Sequence, residues 1–222
     1  VDQGMPYQMA MAVALGKLQL NEALEKMARN DRVARLERDH GLDKALATQV
    51  AMGQADLDLV LWKRRLHDHR DQNRRRTVLE PGRKLSLGLH GQRLVRGTLV
   101  ENRQYDVIFQ PDEGDAEEVH KLQIKLAYDP AAWKAAKKAI KKDKSVASQG
   151  LEPIPKPQDR YACSDKRLFR YLEDESEITI TTLEGDVVRG VPVWFSSYEC
   201  ALKARGDAEI VVFRHAFHDV RR

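Results

Sequence analysis

The side chains with the plainest chemistry in this chain are its cations. Lys63-Arg64-Arg65 opens a basic run that continues through His67, His69 and Arg70 to Arg74-Arg75-Arg76. A second set, Lys134, Lys137, Lys138, Lys141, Lys142 and Lys144, lies on a short alanine-rich segment. Closely spaced ammonium and guanidinium groups release counterions from a phosphate backbone, so both runs suit salt-sensitive contact with nucleic acid. A solvated helix face followed by a linker explains the first run as well. Other chemistry is sparse. Cys163 and Cys200 have neither CxxC spacing nor a histidine at metal-ligand distance, which fits a reducing cytosol and argues against structural zinc or a disulfide framework. His67 and His69 stand two residues apart and on a helix do not share a face, so no metal is expected there. There is no GxSxG, Walker or HExxH pattern. Ser196-Ser197 with His215 has the residue types of a nucleophile and a base, yet a place in a bent strand accounts for the serines. No enzymatic activity, metal or cofactor is expected.

The elements that would carry these groups follow from composition and periodicity. At 222 residues the chain has room for two or three small domains. Its 42% hydrophobic and 32% charged residues describe modest cores with extensive surface. A formal charge of +4, from 38 basic against 34 acidic residues, is too small to identify a partner; the local runs carry that signal. No stretch approaches the roughly 18–20 apolar residues that cross a bilayer, so no membrane partner is expected and a cytoplasmic location is. Val13-Ala-Leu-Gly16-Lys-Leu-Gln-Leu20-Asn-Glu-Ala-Leu24 repeats as Val50-Ala-Met-Gly53-Gln-Ala-Asp-Leu57-Asp-Leu-Val-Leu61. Each copy reads as helix, turn, helix, with Gly16 and Gly53 ending a helix and Asn21 and Asp56 capping the next. This predicts a small helical bundle over 1–70, a packing module or the dock for a protein partner. A basic linker follows over 71–83. From Lys84 the period becomes strand-like to about Tyr128; a lysine-rich helix and a proline-rich linker occupy 131–160, and a second strand-rich block begins after Lys166-Arg-Leu168-Phe169-Arg-Tyr171-Leu172.

The second block runs Ile178-Thr-Ile180-Thr-Thr-Leu183-Glu-Gly185, Val187-Val-Arg-Gly190, a bent strand through Phe195 and Tyr198 to Leu202, and Ile210-Val-Val-Phe213-Arg214-His215-Ala216-Phe217. In its two-glycine spacing, its aromatic at Tyr198 and its closing Phe-Arg-His-Ala it resembles the Sm-like family, most closely bacterial Hfq. Leu87-Gly-Leu89-His90-Gly91-Gln-Arg-Leu94-Val-Arg-Gly97, with Tyr105 and Glu118-Val119-His120-Lys121-Leu122, resembles the same family more loosely. The resemblance implies an α+β protein in which the helical bundle precedes two bent five-stranded Sm-like β-barrels, over 84–130 and 161–222. It also implies an RNA-binding regulator or chaperone that takes single-stranded, U-rich RNA at a pore-type site. There Tyr198 would stack on a base while Phe213, Arg214 and His215 form the closing-strand triplet, a guanidinium suiting phosphate and an imidazole serving as donor. Tyr105, His120 and Lys121 are the degenerate counterparts in the first block. Ser164 falls where the family has a base-reading glutamine. Thr181 and Asp186 depart from the adenine-binding face, and Leu172, Glu173 and Glu175 replace the arginine rim, so the basic linkers, Lys137, Lys138, Lys141 and Lys142 among them, would supply the missing charge. Unpaired barrel edges imply a homo-oligomer, either a trimer of tandem barrels or a hexamer of second barrels. The rival expectation is a scaffold or adaptor docked on a larger ribonucleoprotein or transcription complex.

Overall fold

The computed structural model describes residues 4–222 and divides into two compact units, the first ending at His67 and the second running from Asp68 to Arg222. Residues 1–3 of the segment expected as helical lie outside the described residues.

The first unit holds α1 (Tyr7–Ala14), α2 (Leu20–His40), α3 (Lys44–Ala51) and the start of α4 (Leu57–Asn73). Gly16 and Gly53 end helices with φ of 66° and 71°, left-handed conformations that favour glycine. Asp56 caps α4, accepting from the Leu59 amide at 2.8 Å, and Asp43 caps α3. Asn21 caps nothing: Gln19 occupies the N-cap of α2, in a capping box with Glu22. The expected bundle of two equivalent hairpins is not what forms. Val33 and Leu36 of α2 pack with Leu42, Ala47 and Val50 against Leu57, Val60 and Leu61, whereas α1 buries no residue at all. Only the second hairpin closes over a core.

The second unit corrects the two-barrel expectation. Its strands are β1 (Lys84–Leu89), β2 (Arg93–Asn102), β3 (Asp106–Pro111), β4 (Glu117–His120), β5 (Ile124–Tyr128), β6 (Ile140–Lys142), β7 (Ile178–Thr182), β8 (Asp186–Phe195), β9 (Glu199–Ala204), β10 (Glu209–Phe213) and β11 (Phe217–Arg221). They form one open antiparallel sheet in the order β11-β7-β8-β9-β10-β5-β1-β2-β3-β4, with β6 paired to β8. Separate closed barrels would each spend their edges internally. Here β10 instead joins β5 through Ile210 with Tyr128, Val211 with Ala127 and Val212 with Leu126, which fuses the halves. The core is shared to match: Leu85, Leu87, Leu99, Val107 and Phe109 of the first half pack in one cluster with Trp194, Val211 and Phe213 of the second.

Each half nevertheless repeats one plan, because β11-β7-β8-β9-β10 and β5-β1-β2-β3-β4 have the same internal order. A constant shift in residue number carries the bulge at Leu99/Glu101 of β2 onto that at Pro192/Trp194 of β8. The same shift carries Gly97 onto Gly190, where a Cβ would press to 2.0 Å on the Gln110 carbonyl oxygen and 2.5 Å on that of Lys203. A bulge bends a strand, and glycine admits the crossing backbone.

Between the halves lie α5 (Trp133–Ala139), β6 and α6 (Lys144–Ala147), then the proline-rich segment and α7 (Asp165–Glu173). The lysine-rich helix is shorter than its composition suggested. Ile140–Lys142 leaves it to pair with Val188–Asp186, since a β-branched residue entering a free sheet edge gains a ladder that helix continuation would forgo.

Candidate nucleic-acid interface

The two halves bring matching loops to matching places. The Lys121 amide donates to the Tyr105 carbonyl at 2.8 Å, and the Arg214 amide donates to the Tyr198 carbonyl at 2.8 Å. Each bond closes a 3-10 turn, Lys121–Gln123 or Arg214–Ala216, onto the loop that carries the tyrosine. Both rings stand out into solvent, Tyr105 63% and Tyr198 71% exposed, in a sheet whose other large aromatics are mostly buried. An exposed tyrosine offers a flat face on which a base can stack.

The remaining residues of the expected pore-type site are otherwise engaged. Arg214 donates to Asp165 Oδ1 at 2.8 Å, to the Ser196 carbonyl at 2.8 Å and to the Cys163 carbonyl at 2.6 Å. Its guanidinium thereby fastens the start of α7 to the β8–β9 turn. His215 is buried and its Nε2 meets the Ile124 carbonyl at 2.9 Å. Burial pushes its pKa down to about 4, so it is neutral at ordinary pH. Phe213 is core. Ser164 is the N-cap of α7, its hydroxyl accepting from the Arg167 amide. In the first half His120 is exposed and its Nδ1 accepts from the Leu122 amide, while the Lys121 ammonium donates to the Arg103 and Gln104 carbonyls. Burial lowers the Lys121 pKa, against the pull of the Asp106 and Glu199 carboxylates.

The end of the basic run is held by a residue that sequence reasoning missed. Glu199, next to Tyr198 and 2% exposed, accepts from the Thr77 hydroxyl and, at 2.7 Å, from the Val78 amide. Burial raises its pKa although both donors favour the ionised form. The anchor draws Val78 and Leu79 into the core and fixes the end of the basic run to the start of β9. Arg76 lies over the Trp194 ring at 4.6 Å, while Arg74 and Arg75 are exposed, three residues or fewer from the anchor and so within roughly 10 Å of it along the chain. The run's earlier part is fixed too: the His69 ring packs 4.4 Å from that of Phe195. A carboxylate two positions from a bend, with no cation nearby in sequence, gave the only hint of this anchor.

The lysine-rich insertion makes a second basic region. Lys134, Lys137, Lys138, Lys141 and Lys142 are all exposed. Lys142 pairs with Asp186 at 2.9 Å, and Asp186 meets the buried Lys125 at 2.7 Å. Lys125 also pairs with Glu184, which accepts from the Gly91 amide at 2.6 Å and so ties the hairpin tips of the two halves together. Lys125 balances both carboxylates and holds each pKa below its ordinary value against the cost of burial.

Among the described residues no group of histidine, cysteine, aspartate or glutamate is placed to hold a metal ion, and no helix is long and apolar enough to cross a membrane. No protein-family model, no curated protein and no solved structure matches this chain.

Proposed function

We propose that this protein is a non-enzymatic RNA-binding regulator or chaperone, distantly of Hfq type, that works in the cytoplasm and holds single-stranded RNA on the face carrying Tyr105 and Tyr198. The observation that carries the reading is the Glu199 anchor, which fixes Thr77, three residues after the exposed Arg74, to the residue that follows the exposed Tyr198 in sequence. Arg74 and Arg75 take over the phosphate contact that Arg214 and His215, committed to the fold, do not make. The repeated strand order and the matched tyrosine loops support kinship with the Sm-like family. With Ser164 serving as a helix cap, nothing at that position favours uridine.

Fluorescence anisotropy with a labelled single-stranded oligoribonucleotide tests the reading. Tyr198→Ala is expected to weaken binding about tenfold, one stacked base being worth roughly 1–3 kcal/mol, and Arg74→Gln with Arg75→Gln to flatten the salt dependence. Full affinity in both variants would remove this face from the function.

Assembly as a trimer of tandem chains would pair β4 of one copy with β11 of the next, as β10 pairs with β5, and would first have to free the Val220 carbonyl of β11 from Arg167 and Tyr161. A hexamer of second halves would need the edge of β10 that β5 already holds. The adaptor reading draws on one feature, the uncharged α1, which leaves Tyr7, Met11 and the following Leu15 exposed. Purified protein that binds no RNA would favour it.

A further inference from the structure

The second basic region contains a cavity that the tyrosine face does not use. It measures about 350 Å³ and lies between the β1–β2 hairpin and the α5–β6 insertion. Its apolar side is made by Leu94, Leu126, Ile140 and Trp133, and its polar side by Arg93, Lys137 and the Lys125–Asp186–Lys142 ion chain. Leu94 is 41% exposed and presents its apolar surface at the cavity. Gly88 lets the Leu126 side chain lie flat on the floor, for a Cβ there would meet it at 2.7 Å. Trp133 is fixed from two sides, lying near-parallel to Tyr128 with ring centroids 6.4 Å apart and under the Arg96 guanidinium at 4.2 Å. Arg93 and Lys142 already spend charge on Glu117 and Asp186, which leaves Lys137, 5.5 Å from the Trp133 ring centroid, as the cation able to take a new anion.

A slot with an apolar side, an aromatic wall and a free cation at its mouth matches one nucleotide, base inward and phosphate outward. An apolar anion of another kind would not explain why exposed lysines continue from the mouth along Lys138 and Lys141. The slot and the tyrosine loop lie at opposite ends of β2. That strand has ten residues, so Leu94 and Asn102 are roughly 25–30 Å apart if it were straight, and closer across its bulge.

Resting on the RNA reading, we propose that this slot is a second nucleotide site, and that a single RNA strand long enough to span β2 occupies it and the tyrosine face together. Affinity then rises in a step with length. An oligoribonucleotide of about five nucleotides reaches one site, and one of about twenty reaches both and gains the effective concentration of tethering.

The test is anisotropy with both lengths on the full chain and on Leu94→Glu and Lys137→Glu, two exposed positions whose exchange leaves the core intact, with circular dichroism confirming the fold. Both variants should lose about tenfold on the long strand and little on the short one. A long strand that binds wild type no tighter than the short one overturns the second site and spares the first. So does loss in Lys137→Glu but not in Leu94→Glu, which would reduce the slot to a patch of charge. No binding of either length by the wild type overturns the RNA reading itself and this site with it.

Discussion

The two halves of the sheet share a strand order, a pair of bulges and a tyrosine loop, yet they differ at the residues expected to touch RNA. In the first half Lys121 spans only its own loop; in the second Arg214 gathers Asp165, Cys163 and Ser196. Leu122 stands where the second half buries His215 against Ile124 of the first. The edges differ as well. Ala127 of β5 pairs with Val211, but its counterpart Val220 on β11 has its carbonyl taken by the Arg167 guanidinium and the Tyr161 hydroxyl. The half more like an RNA-binding barrel in sequence has turned its signature residues into joinery.

Exchanging residues between the halves probes that contrast, and the largest effect should come from the buried imidazole. A histidine held at about 4 when folded and near 6.5 when unfolded binds fewer protons in the native state. Its stabilising contribution is whole above pH 6.5 and is lost as pH falls toward 4, amounting to about 3 kcal/mol at roughly 1.4 kcal/mol per unit. His215→Leu, which borrows the residue of the first half, should flatten urea-unfolding stability between those pH values. An unchanged slope would shift the acid sensitivity to His69 and His90, both also lowered by burial.

Arg214→Lys comes next. An ammonium cannot serve three separated acceptors, so about 2 kcal/mol should be lost, whereas Lys121→Arg should change stability by less than about 0.5 kcal/mol. Equal losses in the two would make the halves mechanically alike and remove the contrast.

At the covered edge the energetic effect is expected to be smaller than at Arg214. Tyr161→Phe with Arg167→Ala frees the Val220 carbonyl at a cost of about 1 kcal/mol, but it leaves an edge of the kind β10 fills on β5. Light scattering should then show mass above that of the wild type. A mass that stays put would mean that the proline-rich segment, with Leu151 and Ile154 near Phe217, guards the edge without those two side chains.

Much of the local structure could be read from the chain. Glycine at 16 and 53 marked helix ends, Asp56 marked a cap, and alternation in Ile178 and Ile180 marked an inward face that β7 keeps. The glycine pairs located the bends of both halves because no other residue fits against the Gln110 and Lys203 backbones. Partnership was not legible. Period two shows which face of Val211 is apolar, but not whether its edge meets its own half, a neighbouring half or a second copy. Nor does an arginine announce its acceptors when they lie near position 165 in sequence, or a glutamate at 199 that it will hold Thr77. Exposed tyrosines were visible as residue types, while the slot beside Trp133 depends on a turn from helix to strand at Ile140 that composition concealed.

The junction of β5 with β10 also sets a timetable. During synthesis the edge at Leu126–Tyr128 emerges well before Ile210–Val212, so at roughly 5–20 residues per second it waits on the order of ten seconds for its partner. Through that interval the nascent chain displays an apolar strand of the kind that recruits wrong neighbours. The next residues to leave the ribosome are those of the lysine-rich insertion, and charge flanking an unpaired strand is what holds such segments apart. The same lysines that suit phosphate in the finished molecule thus stand guard over its half-made sheet.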